Sequence, residues 1–293
     1  MRVGAMAKLT FIGLGVMGAP MARHLAAAGH ALTVHNRNPA KAQAWVAAYG
    51  GASATSVVDA VAGADAVFTC VGNDDDLAGV VLGAGGALAA MARGALLVDH
   101  TTVSADLARR LASAGAARGV DVVDAPVSGG QAGAEQGALS IMCGGTDAAM
   151  AAAAPLMAAY AKRIVHVGAA GAGQQTKMVN QVAIAGVLAG LAEGLRFAQA
   201  SELDVAKVYE AISGGAAQSW QMDNRWTTMA DESFDFGFAI DWMRKDLGLA
   251  LAEARARGAV LPMTALVDQF YAEVQRLGGG RQDTSALVRR LPK

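Results

Sequence analysis

From Lys8 to about residue 167, short apolar runs alternate with alanine-rich stretches. LTFIGLG is a continuous apolar run broken at glycine, the pattern of a buried strand, and residues 16–28 after it read as a helix. ALTVHN predicts a second strand, and Pro39 opens the next helix, where its missing N–H costs nothing. ADAVFTCVG, GALLVDHT, VDVVDAPV and ALSIMCGG continue the series, each followed by helix or loop material. Strands this apolar, bounded by turn residues and separated by helices, imply a mostly parallel sheet covered on both faces.

Around Gly168 the pattern changes, and no strand is predicted beyond it. Residues 171–200 contain no proline and many strong helix formers, which predicts one long helix. Residues 204–213, 218–230, 238–257 and 262–277 read as further helices. Gly278-Gly279-Gly280 then breaks the chain before a short last helix that Asp283 or Thr284 could cap. The expected fold is an α/β domain over residues 1–168 followed by an all-α domain over 169–293, the boundary falling between residues 168 and 172. No internal repeat or low-complexity linker interrupts it.

At 293 residues the chain fits two ordinary domains, and 54% hydrophobic with 17% charged residues is ample for buried cores. A formal net charge of −1 leaves no basic excess for a phosphate backbone, so no nucleic-acid partner is expected. The mean hydropathy of +0.32 raises the question of a membrane. The longest uncharged apolar stretch near the chain centre, 182–192, falls short of the roughly 20 residues a spanning helix needs. Residues 1–8 lack the apolar region of a signal peptide. A soluble, cytoplasmic protein with no membrane partner is expected. Five histidines and the two cysteines, Cys70 and Cys143, show no metal-ligand spacing, so no metal site is expected, and such distant cysteines fit reduced thiols.

Gly13-Leu14-Gly15-Val16-Met17-Gly18 follows the first strand and opens a helix. Glycines there permit a tight turn and close approach of a pyrophosphate to backbone N–H groups, the signature of a dinucleotide-binding Rossmann domain. A GxGxxG arises by chance in a glycine-rich chain; the strand–turn–helix context gives this one its weight. The acidic residue that selects NAD should fall near Asn36, where Asn36-Arg37-Asn38 stands instead. An arginine there can pair with a 2′-phosphate, so NADP(H) is expected to be preferred and NAD(H) remains possible; the alternative is an exposed arginine at a strand end. Asp124-Ala-Pro-Val-Ser128-Gly129-Gly130 puts a hydroxyl beside glycine amides, suited to a substrate carboxylate. An ordinary glycine-rich turn reads the same way. Gln174, Lys177 and Asn180 or Gln181 share one helix face at i, i+3 and i+4 spacing on an otherwise apolar helix. Such a polar stripe should line a cleft, where a desolvated lysine can exchange a proton with a reacting oxygen. Asp74-Asp75-Asp76 is read as a helix start and Trp220, Trp226 and Trp242 as packing residues, although Trp220 or Trp242 could shape a pocket.

Together GLGVMGAPMARHL, DAPVSGG, GAGQQTKMVNQ and KDLGLAL resemble the β-hydroxyacid dehydrogenase family, in order and over nearly the whole chain. The resemblance implies hydride transfer between a nicotinamide cofactor and a small carboxylate substrate. Candidates are 3-hydroxyisobutyrate, tartronate semialdehyde, glyoxylate, succinic semialdehyde or a serine-like acid. It assigns Gly13, Gly15 and Gly18 to the pyrophosphate, and Cys70, Val71 and Thr102 to the ribose and nicotinamide. Ser128, Gly129 and Gly130 match the substrate-anchoring turn, Lys177 the catalytic lysine, and Asn180 the substrate-orienting amide. Lys245 and Asp246 match the KDL element that closes over cofactor and substrate. Asn36-Arg37 departs from the family's aspartate, and Gln181 stands where many members have a second asparagine, a change of little expected consequence. An imine reductase usually lacks the lysine and the SGG turn, and a non-catalytic NADP-binding module needs no proton donor. Gly186, Gly190 and Gly194, spaced by four, suggest close approach of another helix, from this chain or from a partner in a homodimer or homotetramer.

Overall fold

A computed structural model describes residues 6–292; the first five residues of the stretch 1–8 read above lie outside them. The chain divides into two compact units, Met1–Lys177 and Met178–Lys293.

The first unit contains β1 (Lys8–Ile12), α1 (Gly18–Ala27), β2 (Ala31–His35), α2 (Pro39–Tyr49), β3 (Ala52–Ser53), α3 (Val57–Val61), β4 (Ala66–Thr69), α4 (Asp74–Leu82), α5 (Ala87–Ala90) and β5 (Leu96–Asp99). It continues with α6 (Ala105–Arg118), β6 (Asp121–Asp124), β7 (Val127–Ser128), α7 (Gly130–Glu135), β8 (Leu139–Gly144), α8 (Asp147–Met157) and β9 (Ala161–Gly168). One sheet has the order β3-β2-β1-β4-β5-β6-β8-β7, with β9 also paired to β8. It is parallel from β3 to β6, and β8 runs antiparallel to β6 and β7. The chain leaves β1 to one side for β2 and β3 and returns to its other side for β4, so the winding reverses between β1 and β4. In open parallel sheets that crevice is where ligands bind.

Alternation along the strands supplies both faces of the sheet. Phe11, Phe68 and Val98 pack in one core with Met21, Leu25 and Tyr160, while Ile12, Val67 and Leu97 face Leu107 and Leu111 in another. Three strands go beyond the sequence reading, among them the two-residue β7. β3, like β7, has only two residues, and β9, AKRIVHVG, is mostly exposed and rich in polar residues, so none of the three carries the apolar run that marks the others.

The second unit holds most of α9 (Ala172–Ala200), with α10 (Val205–Ile212), α11 (Trp220–Ala230), α12 (Ile240–Arg257), α13 (Pro262–Arg276) and a closing 3-10 helix, Thr284–Arg290. Ala185, Leu191 and Leu195 of α9 pack with Trp226, Leu247, Tyr271 and Leu287. By length and composition α9 would suffice to cross a membrane, contrary to the limit set above from residues 182–192. Its inward residues are instead part of this unit's core. Among the described residues no helix packs on Gly186, Gly190 or Gly194, since a Cβ on any of them meets nothing within 4 Å. The last helix is capped by Asp283, which accepts from Ser285 N, pairs with Arg225 at 2.9 Å and also accepts from Phe238 N.

Strands β5 and β6 end in register on two buried acids, Asp99 and Asp124. Asp99 Oδ1 accepts from Thr69 Oγ1 (2.7 Å) and Thr101 N (3.1 Å), and burial pushes its carboxyl up to about 7. Next to it, His100 Nδ1 lies 2.6 Å from the Ala125 carbonyl and Nε2 2.8 Å from the Tyr160 hydroxyl. A carbonyl only accepts, so Nδ1 carries the proton and Nε2 accepts from Tyr160. Burial lowers the His100 imidazole to about 4.

The two groups act on stability with opposite signs. The stability from the Asp99 proton is complete below the ordinary value of 3.8 and is lost as pH rises to about 7. The neutral His100 resists the protonation that the unfolded imidazole undergoes below 6.5, so its cost to stability grows as pH falls from 6.5 to about 4. Relative to wild type, Asp99→Asn should therefore make Tm climb more steeply with pH between about 4 and 6.5, and His100→Asn should make it climb less. Calorimetry across that range checks both, and parallel profiles for all three proteins would contradict the burial argument.

Candidate functional site

The glycine motif forms the turn from β1 into α1, at the C-terminal end of the sheet's reversal point. Gly13 has φ +99°, and a Cβ there would strike the Cys70 carbonyl; one on Gly18 would strike the Gly13 carbonyl. No residue with a side chain can make this turn. A Cβ on Gly15 would meet nothing within 4 Å, and Gly15 and Val16 are exposed. Met17, at the N-cap of the ten-residue α1, makes no side-chain cap hydrogen bond. Open backbone beside the positive end of an uncapped helix fits a pyrophosphate.

The Asn36 amide is tied to this turn: its Oδ1 accepts from Leu14 N at 3.0 Å, and its Nδ2 donates to the Asn38 carbonyl. No carboxylate occupies the end of β2. Arg37 has a side chain 88% exposed and forms an ion pair with Asp76 at 3.2 Å. The acidic run does begin a helix, α4, but its N-cap is Asn73, and its carboxylates have separate duties. Asp74 holds the N–H and hydroxyl of Ser104, while Asp76 holds Arg37.

Cys70 and Val71 follow β4 and border Gly13. Val71 N donates to Thr101 Oγ1 at 3.1 Å, and the half-buried Thr102 comes next. These residues therefore meet at one edge of the sheet. Ser128 closes β7 half-buried, with Gly129 and Gly130 exposed after it, so hydroxyl and amides stand open to a ligand.

Lys177 is buried in the second turn of α9. Gln174, expected to share its stripe facing a cleft, is fully buried and turned to the sheet. Its Oε1 accepts from Val103 N (3.1 Å) and its Nε2 donates to the Thr101 carbonyl (2.7 Å). Asp124, quoted in the sequence motif without a role, accepts from Gly171 N at 2.8 Å and Gln174 N at 3.0 Å. The signal that could have found it is the helix start Gly168-Ala-Ala-Gly171, which holds no local cap residue.

Within the second unit, Asn180 Nδ2 donates to Gln181 Oε1 at 2.8 Å, and Gln181 Nε2 donates to Asp246 Oδ2 at 2.7 Å. Lys245 Nζ is 3.2 Å from Asp246 Oδ1 and 5.8 Å from the Trp242 ring centre. Gln181 is thus the link between Asn180 and the Lys245–Asp246 pair, a larger part than the sequence reading gave it.

A family model described as the NAD binding domain of 6-phosphogluconate dehydrogenase matches residues 8–168. A second, described as the NAD-binding of NADP-dependent 3-hydroxyisobutyrate dehydrogenase, matches residues 171–291. An uncharacterized oxidoreductase of Shewanella frigidimarina is 59% identical over 288 residues, covering 98% of this chain and 99% of that one. The 2-hydroxy-3-oxopropionate reductase of Escherichia coli is 36% identical, with 97% of each chain covered. The structure of Mycobacterium tuberculosis 3-hydroxyisobutyrate dehydrogenase with L-serine superposes with a TM-score of 0.89 at 32% identity, covering 99% of this chain and 100% of that one. The chain belongs to the 3-hydroxyisobutyrate dehydrogenase, or β-hydroxyacid dehydrogenase, family of NAD(P)-dependent enzymes acting on 3-hydroxyacids.

Proposed function

We propose that this enzyme interconverts a small 3-hydroxyacid and its semialdehyde acid with NADP(H), and that Lys177 exchanges the proton of the reacting oxygen. The observation that carries this reading is a lysine buried in the second turn of α9, on the polar stripe it shares with Gln174 and Asn180 ahead of the helix's apolar middle. The nicotinamide, when bound, supplies or accepts the hydride. Residues 13–18 hold the pyrophosphate on backbone N–H groups and the start of α1. Cys70, Val71 and Thr102 border the ribose and nicotinamide. Ser128 and the amides of Gly129 and Gly130 grip the carboxylate, Asn180 orients the substrate, and Lys245 with Asp246 serve substrate and cofactor. The substrates named for the relatives above make 3-hydroxyisobutyrate, tartronate semialdehyde and L-serine the acids to test first, each with both cofactors. Lys177→Ala should lower kcat by roughly 10²–10⁴-fold while leaving cofactor affinity nearly intact. Wild-type turnover in that variant would remove the lysine from the mechanism.

Arg37 supports the preference for NADP(H). An exposed ion pair such as Arg37–Asp76 contributes about 0–1 kcal/mol, whereas a charge-assisted hydrogen bond contributes about 1.5–3 kcal/mol. A 2′-phosphate can therefore draw Arg37 from Asp76, and Asn36 leaves no carboxylate to repel it. The expected preference is roughly tenfold to a hundredfold in kcat/KM, and Arg37→Ala should erase most of it. An unchanged cofactor ratio in the variant would sink the assignment.

We also propose a homodimer or homotetramer in the cytoplasm. Val179 and Phe197 are exposed on α9, and Gly190 between them has open space beside it. Neither Cys70 nor Cys143 is in a disulfide, which fits a reducing compartment. Gly190→Leu should weaken association; unchanged sedimentation would place the contact elsewhere.

A further inference from the structure

A helix of 29 residues begins at Ala172 behind Gly168-Ala-Ala-Gly171, which offers its first N–H groups no side-chain acceptor. The acceptor comes from far along the chain. Asp124, at the end of β6, takes Gly171 N on Oδ1 at 2.8 Å and Gln174 N on Oδ2 at 3.0 Å. Both oxygens of one carboxylate are thereby spent on one helix start. The helix also sits close: a Cβ on Gly173 would lie 2.5 Å from the Met142 carbonyl oxygen and 2.6 Å from that of Asp124. A second tie reinforces the first, because the Gln174 amide spans Val103 N and the Thr101 carbonyl beyond β5. Asp124 is buried with no cation bonded to its oxygens in these contacts; burial raises its carboxyl, and the helix N–H groups oppose that shift.

One turn further along the same helix stands Lys177. Because α9 is rigid over that turn, its height and rotation at Lys177 are fixed by whatever holds residues 171–174. We infer that Asp124 is a positioning residue for Lys177, its carboxylate docking the first turn of α9 on the ends of β5 and β6 so that the lysine amine is presented in one place. The inference rests on the assignment of Lys177 as the proton-exchanging group. Asp124 touches neither substrate nor cofactor in this account and acts only through the helix.

The distinction between holding the fold and placing the lysine is measurable. Asp124→Asn keeps the size of the side chain but leaves one oxygen for two N–H groups. Hydrogen exchange of the amides at 171–176 should become roughly tenfold faster in this variant, with the remaining sheet unchanged. Turnover of 3-hydroxyisobutyrate with NADP+ should fall about 10–100-fold in kcat, the scale of a misplaced catalytic group, while the Kd for NADPH, read by fluorescence titration, stays within twofold. Added to Lys177→Met, the substitution should cost less than a further twofold, because the group it positions is already gone. A merely structural loss would lower the double variant further and weaken NADPH binding too. Should Asp124→Asn not fold, Asp124→Ser is read by the same measurements. Unchanged exchange at 171–176, or wild-type kcat in Asp124→Asn beside an inactive Lys177→Met, overturns the positioning role alone. Wild-type turnover in Lys177→Met overturns the assignment of the lysine, and the positioning role falls with it.

Discussion

At the C-terminal edge of the parallel sheet, two buried acids on adjacent strands are held by hydrogen-bond donors, with Asp99 Oδ2 left without a hydrogen-bond partner among the described residues. Burying a carboxylate without such donors is costly. Asp99 takes the Thr69 hydroxyl and the Thr101 N–H, and Asp124 takes the start of α9. Each solution imposes geometry on its neighbours. Thr69 and Thr101 are held at the ends of β4 and β5, and Thr101 in turn accepts from Val71 N on its hydroxyl and from Gln174 Nε2 on its carbonyl. A segment that follows β4, one that follows β5 and the first turn of α9 are thus tied into one polar framework.

Parallel strand order explains why residues far apart in the chain belong to one edge. The strands of a parallel sheet all end on the same side, so the turns that follow them emerge together. The glycine turn follows β1, Asn36 and Arg37 follow β2, Cys70 and Val71 follow β4, and Thr102 follows β5. The two glycines that shape the first turn are demanded by the carbonyls of Cys70 and of Gly13 itself. This cluster of turns is therefore a consequence of strand packing as much as of a motif.

The second unit handles its buried charges by pairing. Asp283 joins Arg225, the start of the closing 3-10 helix and the segment before α12. Arg225 lies 4.9 Å from the Trp220 ring centre and 4.8 Å from that of Phe236, which shields the pair from water. Gln181 plays a comparable part for Asp246, joining α9 to α12 through one side-chain amide. In both places a buried carboxylate makes a junction between elements that apolar packing alone would leave free to slide.

Local pattern in the sequence determined the strands β1, β2, β4, β5, β6 and β8, the helices of the second unit, the glycine turn and the polar stripe of α9 that carries Lys177. These depend on period, capping residues and the conformational freedom of glycine, all of which act over a few residues. The tertiary structure alone decided what faced what. Gln174 and Lys177 lie one turn apart on α9, yet Gln174 is consumed by the loop after β5. Asp124 sits in a turn motif in the sequence, yet its carboxylate caps a helix 47 residues away. Gly186, Gly190 and Gly194 keep the spacing of a packing seam but meet no helix among the described residues. β9 carries too many polar residues to announce itself, and becomes a strand because β8 offers it an edge. A hydrogen-bond partner supplied from a distant strand leaves no periodic trace in the segment that receives it, so such partners emerge only once the sheet has assembled.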